Sequence, residues 1–133
     1  MKPVFADTFF FVAALNSADH AHARAIAWSS SNHAPLVTTS WILTEVANTL
    51  SKQQHRSGVV RLLRELKHLP RVRIVPASEQ LFERGVEFYS QRLDKEWSLT
   101  DCISFVVMTD EKITDALTGD HHFEQAGFTA LLK

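Results

Sequence analysis

Val4, Phe5 and Ala6 form a short apolar run that stops at Asp7. Thr8 to Leu15 then stays apolar without the alternation of a half-buried strand, which predicts a strand followed by a helix. His20 to Ser30 predicts a second helix, with Ile26 and Trp28 as its bulky apolar positions and Pro35 as the break beyond it. Leu36 to Thr38 reads as a second strand, and Ser40 as the N-cap of a helix running from Trp41 to about Gln54. Ser57 and Gly58 suggest a new helix start, because Val59, Leu62, Leu63, Leu66 and Leu69 then recur at helical spacing up to Pro70. Val72 to Val75 is a third strand, Ser78 opens a helix ending near Leu93, and Asp94 to Trp97 is a charged loop. Ser98 to Asp101 starts a helix reaching Met108, Ile113 to Leu117 is a strand, and His121 to Ala126 is a short helix before Gly127. Thr129 to Leu132 is a last strand.

Strands alternating with helices predict the α/β class: a mainly parallel central sheet, right-handed crossovers and helices on both faces, three layers in all. With no internal repeat, low-complexity tract or long Gly/Ser/Pro linker, residues 1–133 are expected to form one domain.

Composition sharpens this picture in three places. Hydrophobic residues make up 45% and charged residues 22%, the profile of a globular rather than a disordered chain. Cys102 is the only cysteine, so no internal disulfide can form and a reducing cytoplasm fits. The net charge of −1 rules out a generally basic nucleic-acid binder and makes any RNA contact local. Phe9 to Leu15 is too short to cross a bilayer, and with only Lys2 ahead of it and Asp7 beside it, it is a poor signal-peptide core.

The chemistry lies in the acids. In an open parallel sheet, ligands gather beyond the carboxyl ends of the strands, and Asp7 and Asp120 each stand where a predicted strand gives way to a helix. Asp101 falls in the first turn of its helix and Glu45 about one turn into the helix after the second strand. Glu45 is also the only charged side chain from Leu36 through Ser51. Four converging carboxylates repel unless a cation compensates, and hard oxygen donors suit Mg²⁺ or Mn²⁺. Each acid has an ordinary explanation as well: Asp7 and Asp120 fit N-caps, and Asp101 fits a capping box with Ser98.

Val4-Phe5-Ala6-Asp7-Thr8, Trp97-Ser98-Leu99-Thr100-Asp101-Cys102-Ile103-Ser104-Phe105 and Ala116-Leu117-Thr118-Gly119-Asp120-His121-His122-Phe123, with the order Asp, Glu, Asp, Asp along the chain, resemble the PIN-domain family, particularly the VapC-type toxins of bacterial toxin–antitoxin pairs. The resemblance implies a metal-dependent endoribonuclease, with Asp7, Glu45, Asp101 and Asp120 as the acidic site holding Mg²⁺ or Mn²⁺, and Thr8 and Thr118 as supporting neighbours. It further implies a small antitoxin partner and a toxin homodimer. Gly119 departs from the family, which often has a bulkier residue there, and Asp115 adds an acid inside the last long strand that fits either a supporting partner of the site's acids or, somewhat better, an exposed strand residue.

Several other features admit both a functional and a plain structural explanation. His121 and His122 adjoin Asp120 but sit on a short surface helix, and His20 and His22 lack the further ligands of a zinc motif. Arg61 and Arg64, within a cationic middle third, fit RNA or partner contacts or simply a solvated helix face. Trp28, Trp41, Trp97 and the Phe residues fit base stacking or, more commonly, the core, with Trp97, beside charged residues, the best candidate for exposure. The alternatives to a nuclease are a catalytically idle interaction subunit of the same fold and a receiver-like Mg²⁺-binding regulatory domain, which expects adjacent acids after its first strand.

Overall fold

The computed structural model describes all 133 residues. The elements run β1 (Val4–Ala6), α1 (Thr8–Leu15), α2 (His22–Ser31), β2 (Leu36–Thr39), α3 (Ser40–Thr49), α4 (Gln53–Leu66), β3 (Val72–Val75), α5 (Glu79–Gln91), α6 (Leu99–Asp110), β4 (Asp115–Leu117), α7 (His121–Gln125) and β5 (Thr129–Ala130). The sheet order is β3-β2-β1-β4-β5, and every pairing is parallel. The chain winds one way from β1 to β3, then crosses to β4 and winds the other way. Right-handed crossovers therefore put α1 to α4 on one face and α5 to α7 on the other. The helix contacts divide accordingly, with α1 touching α2, α3 and α4, and α6 touching α5 and α7. This is the expected three-layer α/β arrangement. Its strand order differs from the 2-1-3-4-5 order of receiver domains, which removes that alternative.

β1 and β2 are buried throughout, as strands covered on both faces must be. On the α5–α7 face, Phe105 meets Trp97, Phe123 and Phe128 at ring-centroid distances of 5.1, 5.0 and 5.6 Å. Gly127 takes φ +96°, the left-handed turn that closes the chain after α7 and leads it into β5. No helix is long and apolar enough to cross a membrane.

Several details differ from the sequence expectations, among them β4 starting at Asp115 rather than Ile113 and β5 ending at Ala130 rather than Leu132. Thr39, not Ser40, caps α3, its hydroxyl accepting the Ile42 N–H at 3.1 Å. That helix ends at Thr49, and Gln54 already belongs to α4, so Ser57 and Gly58 lie inside α4 rather than before it. The first turn of α4 is polar and so invisible to hydrophobic spacing, while packing of Val59 and Leu66 further along carries the helix through Gly58. Ile26 is exposed and Ala25 is the buried position of α2. Trp97 is only 4% exposed: its Nε1 donates to Gln125 Oε1 at 2.9 Å, and Arg92 and Lys95 lie over its ring. The charged neighbours that suggested exposure are cation–π partners covering a core residue.

Gly85 sets the spacing between α5 and α6. A Cβ at this buried position would lie 2.3 Å from Ile103 Cγ1, an atom near the root of a buried, β-branched side chain. Gly85→Ala is expected to lower stability by about 1–3 kcal/mol through overpacking, despite the ~1 kcal/mol helix-propensity advantage of Ala. The check is a urea midpoint that falls with an unchanged slope; a raised midpoint would show that the two helices can part freely.

Candidate active site

β1 and β4 are neighbours in the sheet, and the winding direction reverses between them, so their carboxyl ends form the switch point beyond which ligands of open parallel sheets gather. Asp7 follows β1 directly, and Thr118, Gly119 and Asp120 follow β4. α3 brings Glu45 and α6 brings Asp101 to the same edge.

Asp7 occupies the N-cap position of α1, yet its side chain caps nothing. Instead its Oδ2 accepts a 2.8 Å hydrogen bond from the fully buried hydroxyl of Thr118, which in turn accepts the Asp120 N–H at 3.1 Å. Thr8 donates to Glu45 Oε1 at 2.5 Å, tying the start of α1 to α3. Thr8 and Thr118 thus both contact acids of the cluster. Asp101 and Asp120 do serve as caps. Both bonds of the Ser98–Asp101 capping box are present, and Asp120 Oδ1 accepts the His122 N–H at 2.9 Å. Capping and clustering coexist here, because a cap at a helix start on this edge already lies at the switch point.

Two of the four acids, Asp7 and Asp101, are raised by burial and by neighbouring acids. Burial pushes Asp7, 5% exposed, up to about 7; the Thr118 hydrogen bond opposes this, and Asp101 and Glu45 add to it. Burial also raises Asp101, with Asp120 adding to the rise and hydrogen bonds from Ser98 and His122 opposing it. No Lys or Arg forms an ion pair with any of the four. Each acid uses one oxygen in its side-chain hydrogen bonds: Asp7 Oδ2, Glu45 Oε1, Asp101 Oδ2 and Asp120 Oδ1. One oxygen of each therefore remains outside these bonds. Uncompensated, partly buried oxygen donors of this kind fit a hard divalent cation.

His122 is part of this group to an extent that sequence reasoning undervalued. Its Nδ1 lies 3.0 Å from Asp101 Oδ2 and its side chain is 18% exposed. The signal available was spacing: if Asp120 is an N-cap, residue 122 falls in the first helical turn with its N–H on the cap. His22 is accounted for by a 2.7 Å contact from Nδ1 to the Ala13 carbonyl, and His20 lies at the surface edge-on to Phe9. Asp115 opens β4, accepts a hydrogen bond from the Thr114 hydroxyl at 3.5 Å, and bonds to none of the four acids. A Cβ at Gly119 would lie 2.5 Å from the tip of the Phe9 ring, so a bulkier residue there requires that ring to shift. Arg61 and Arg64 lie on the exposed face of α4, where they line a shallow depression with Arg56 and Val60, and no hydrogen bond or ion pair links them to the acids.

Comparison with known proteins gives this geometry a family. The PIN domain model matches residues 4–129. The 23S rRNA-specific endonuclease VapC20 of Mycobacterium tuberculosis, from strains CDC 1551 and H37Rv, is 31% identical over 126 residues, covering 94% of this chain and 95% of the relative. The crystal structure of VapC20, described as a sarcin-ricin loop cleaving toxin, superposes with a TM-score of 0.86 at 26% identity, covering 95% of this chain and 96% of that one. FitAcB from Neisseria gonorrhoeae, at 18% identity, shares the fold with a TM-score of 0.65 over 96% of this chain and 95% of its own. VapBC2 from Rickettsia felis, at 16%, does so with 0.64 over 96% of each chain. The parallel sheet, the acids at its switch point and a family match spanning nearly the whole length lead to one conclusion: this chain belongs to the PIN domain family.

Proposed function

We propose that this protein is a divalent-metal-dependent endoribonuclease, the toxin of a toxin–antitoxin pair, acting in the cytoplasm on structured RNA. The observation that carries the proposal is the gathering of Asp7, Glu45, Asp101 and Asp120 at the carboxyl edge of β1 and β4, with an oxygen of each outside the internal hydrogen bonds. These acids are the residues that would hold Mg²⁺, or Mn²⁺ in its place. Such an ion, when bound, supplies a water acidified toward neutral pH and neutralises charge on the phosphate.

The chain's own residues do the rest. Thr118 and Thr8 orient the Asp7 and Glu45 carboxylates, and the Ser98 N–H and His122 hold that of Asp101. A carboxylate of the cluster takes up the proton as water attacks phosphorus. The new bond joins water oxygen to phosphorus, the P–O3′ bond breaks, and the leaving oxygen gains a proton. The products carry a 5′-phosphate and a 3′-hydroxyl.

VapC20, a 23S rRNA-specific endonuclease described as cleaving the sarcin-ricin loop, aligns along 94% of this chain, which makes that loop the first substrate to try. For partners, we propose a cognate antitoxin and a homodimer. Supporting a protein contact, Phe82, Val86, Tyr89 and Leu93 are exposed at helical spacing along α5 and just beyond it, a continuous apolar stripe that water covers poorly.

The test incubates antitoxin-free protein with end-labelled RNA, including 23S rRNA, in Mg²⁺, Mn²⁺ or EDTA. Expected are discrete cuts with 5′-phosphate ends, absent in EDTA and in a folded Asp101→Asn variant. Cyclic 2′,3′-phosphate ends would overturn the water mechanism. No cleavage across broad RNA and metal conditions would favour the idle interaction subunit.

A further inference from the structure

The four-acid cluster is all oxygen, but one side of it is not. Asp120, His121 and His122 follow one another at the start of α7, and one ligand atom from each lies within 4.8 Å of the others. The Nδ1 atoms of His121 and His122 are both 3.6 Å from Asp120 Oδ1, and the two rings lie 4.6 Å apart. His121 thus turns a ring nitrogen toward Asp120, while His122 Nδ1 lies nearer to Asp101 than to Asp120.

His122 has a second contact that defines its state as a donor. Its Nδ1 is 3.0 Å from Asp101 Oδ2, an oxygen that also accepts the Ser98 N–H. Donation of Nδ1–H to a carboxylate fixes the tautomer and leaves the Nε2 lone pair free, the arrangement by which metal-binding histidines are usually oriented. The His121 side chain is 63% exposed and that of His122 18%, so one imidazole is open to solvent while the other is held.

A wholly carboxylate site favours Mg²⁺ as readily as Mn²⁺, whereas imidazole nitrogen binds first-row transition ions and offers little to Mg²⁺. We infer that Asp120, His121 and His122 form a nitrogen-bearing metal position on the α7 side of the acidic centre, which biases the protein toward a first-row transition ion such as Mn²⁺ over Mg²⁺. This rests on the metal-dependent reading above, and it concerns which ion is held and by which donors rather than the cleavage step.

The test measures binding directly, without RNA. The purified full chain is titrated with Mn²⁺ by electron paramagnetic resonance, Mg²⁺ affinity is obtained by competition, and nitrogen coupling to bound Mn²⁺ is read from the echo modulation. The expected result is ¹⁴N coupling in the wild type. It should disappear in His121→Ala/His122→Ala, with Mn²⁺ affinity falling at least about tenfold and Mg²⁺ affinity changing less than about threefold. His122→Asn separates the two roles of that side chain, because its amide can still donate to Asp101 but carries no imidazole nitrogen. Loss of Mn²⁺ affinity in His122→Asn supports ligation. Wild-type affinity in that variant, absence of ¹⁴N coupling in the wild type, or a parallel fall for both ions in the double variant overturns the inference and leaves the four-acid site standing. No binding of either ion to the wild type overturns both readings.

Discussion

Asp7→Asn is expected to abolish cleavage and, at the same time, to make the metal-free protein more stable. On the proposed metal-dependent mechanism, the loss of activity follows from removing a negative oxygen donor of the four-acid site. Metal-derived stabilisation of the reacting phosphate amounts to several kcal/mol, so a fall in rate of roughly 10²–10⁴ is expected. The gain in stability follows from burial. Asp7 is raised from 3.8 to about 7 in the folded protein, chiefly by burial and then, against the Thr118 hydrogen bond, by Asp101 and Glu45. The folded state therefore keeps a proton that the unfolded chain has lost, and stability falls as pH rises from about 4 to about 7, levelling beyond. At pH 8 the full penalty is present, at most about 4 kcal/mol. Asn is neutral, has the same shape and can still accept from Thr118. Thermal unfolding without divalent ions should give Asp7→Asn a midpoint about 5 °C or more above wild type at pH 8, converging near pH 4, with Mg²⁺ raising only the wild type. An active variant would remove Asp7 from the site. An inactive variant no more stable than wild type at pH 8 would show that the carboxylate is compensated by something other than a bound ion.

The acids were visible in sequence, while the contacts that hold them were not. Glu45 stands alone in an uncharged stretch, and Asp101 and Asp120 sit at helix starts with recognisable caps, so local chemistry marks them. Asp7 resembles another N-cap in sequence, and only the fold reveals that its side chain turns away from α1 to Thr118, 111 residues later. His122 was undervalued for the same reason, since its tie to Asp101 joins α7 to α6 across 21 residues.

The fold was legible where periodicity and caps agree. The Ser78 and Ser98 caps were expected and are present, as is the order of strands and helices. It was misread where local composition is silent or ambiguous. The polar first turn of α4 hides its start, and the cations around Trp97 signal exposure in sequence but lie over its ring in the fold. Sheet order was not fixed by such local signals, because α/β chains of similar pattern can adopt more than one order.

Phe105→Ala should be among the most destabilising single changes in this chain and should also damage the site without touching it. Phe105 is 1% exposed and packs against Trp97, Phe123 and Phe128, with Phe88 at 6.4 Å. Truncation leaves a cavity walled by rings that cannot collapse into it, for a loss of about 3–5 kcal/mol, against roughly 5–15 kcal/mol for a domain's total stability. The urea midpoint should fall accordingly, and Phe105→Leu should recover a large part of the loss. Position matters as much as size. Asp101 lies one turn before Phe105 on the same face of α6, and Phe123 follows Asp120 and His122 on α7, so this one ring braces both helices that carry acids. Metal affinity of the folded fraction should therefore fall by more than the population of unfolded chain explains, measured at low temperature where the variant is folded. If affinity tracked the folded fraction alone, the acids would be held by their own hydrogen bonds, from Thr118 to Asp7 and from Ser98 and His122 to Asp101, and the aromatic cluster would serve stability only.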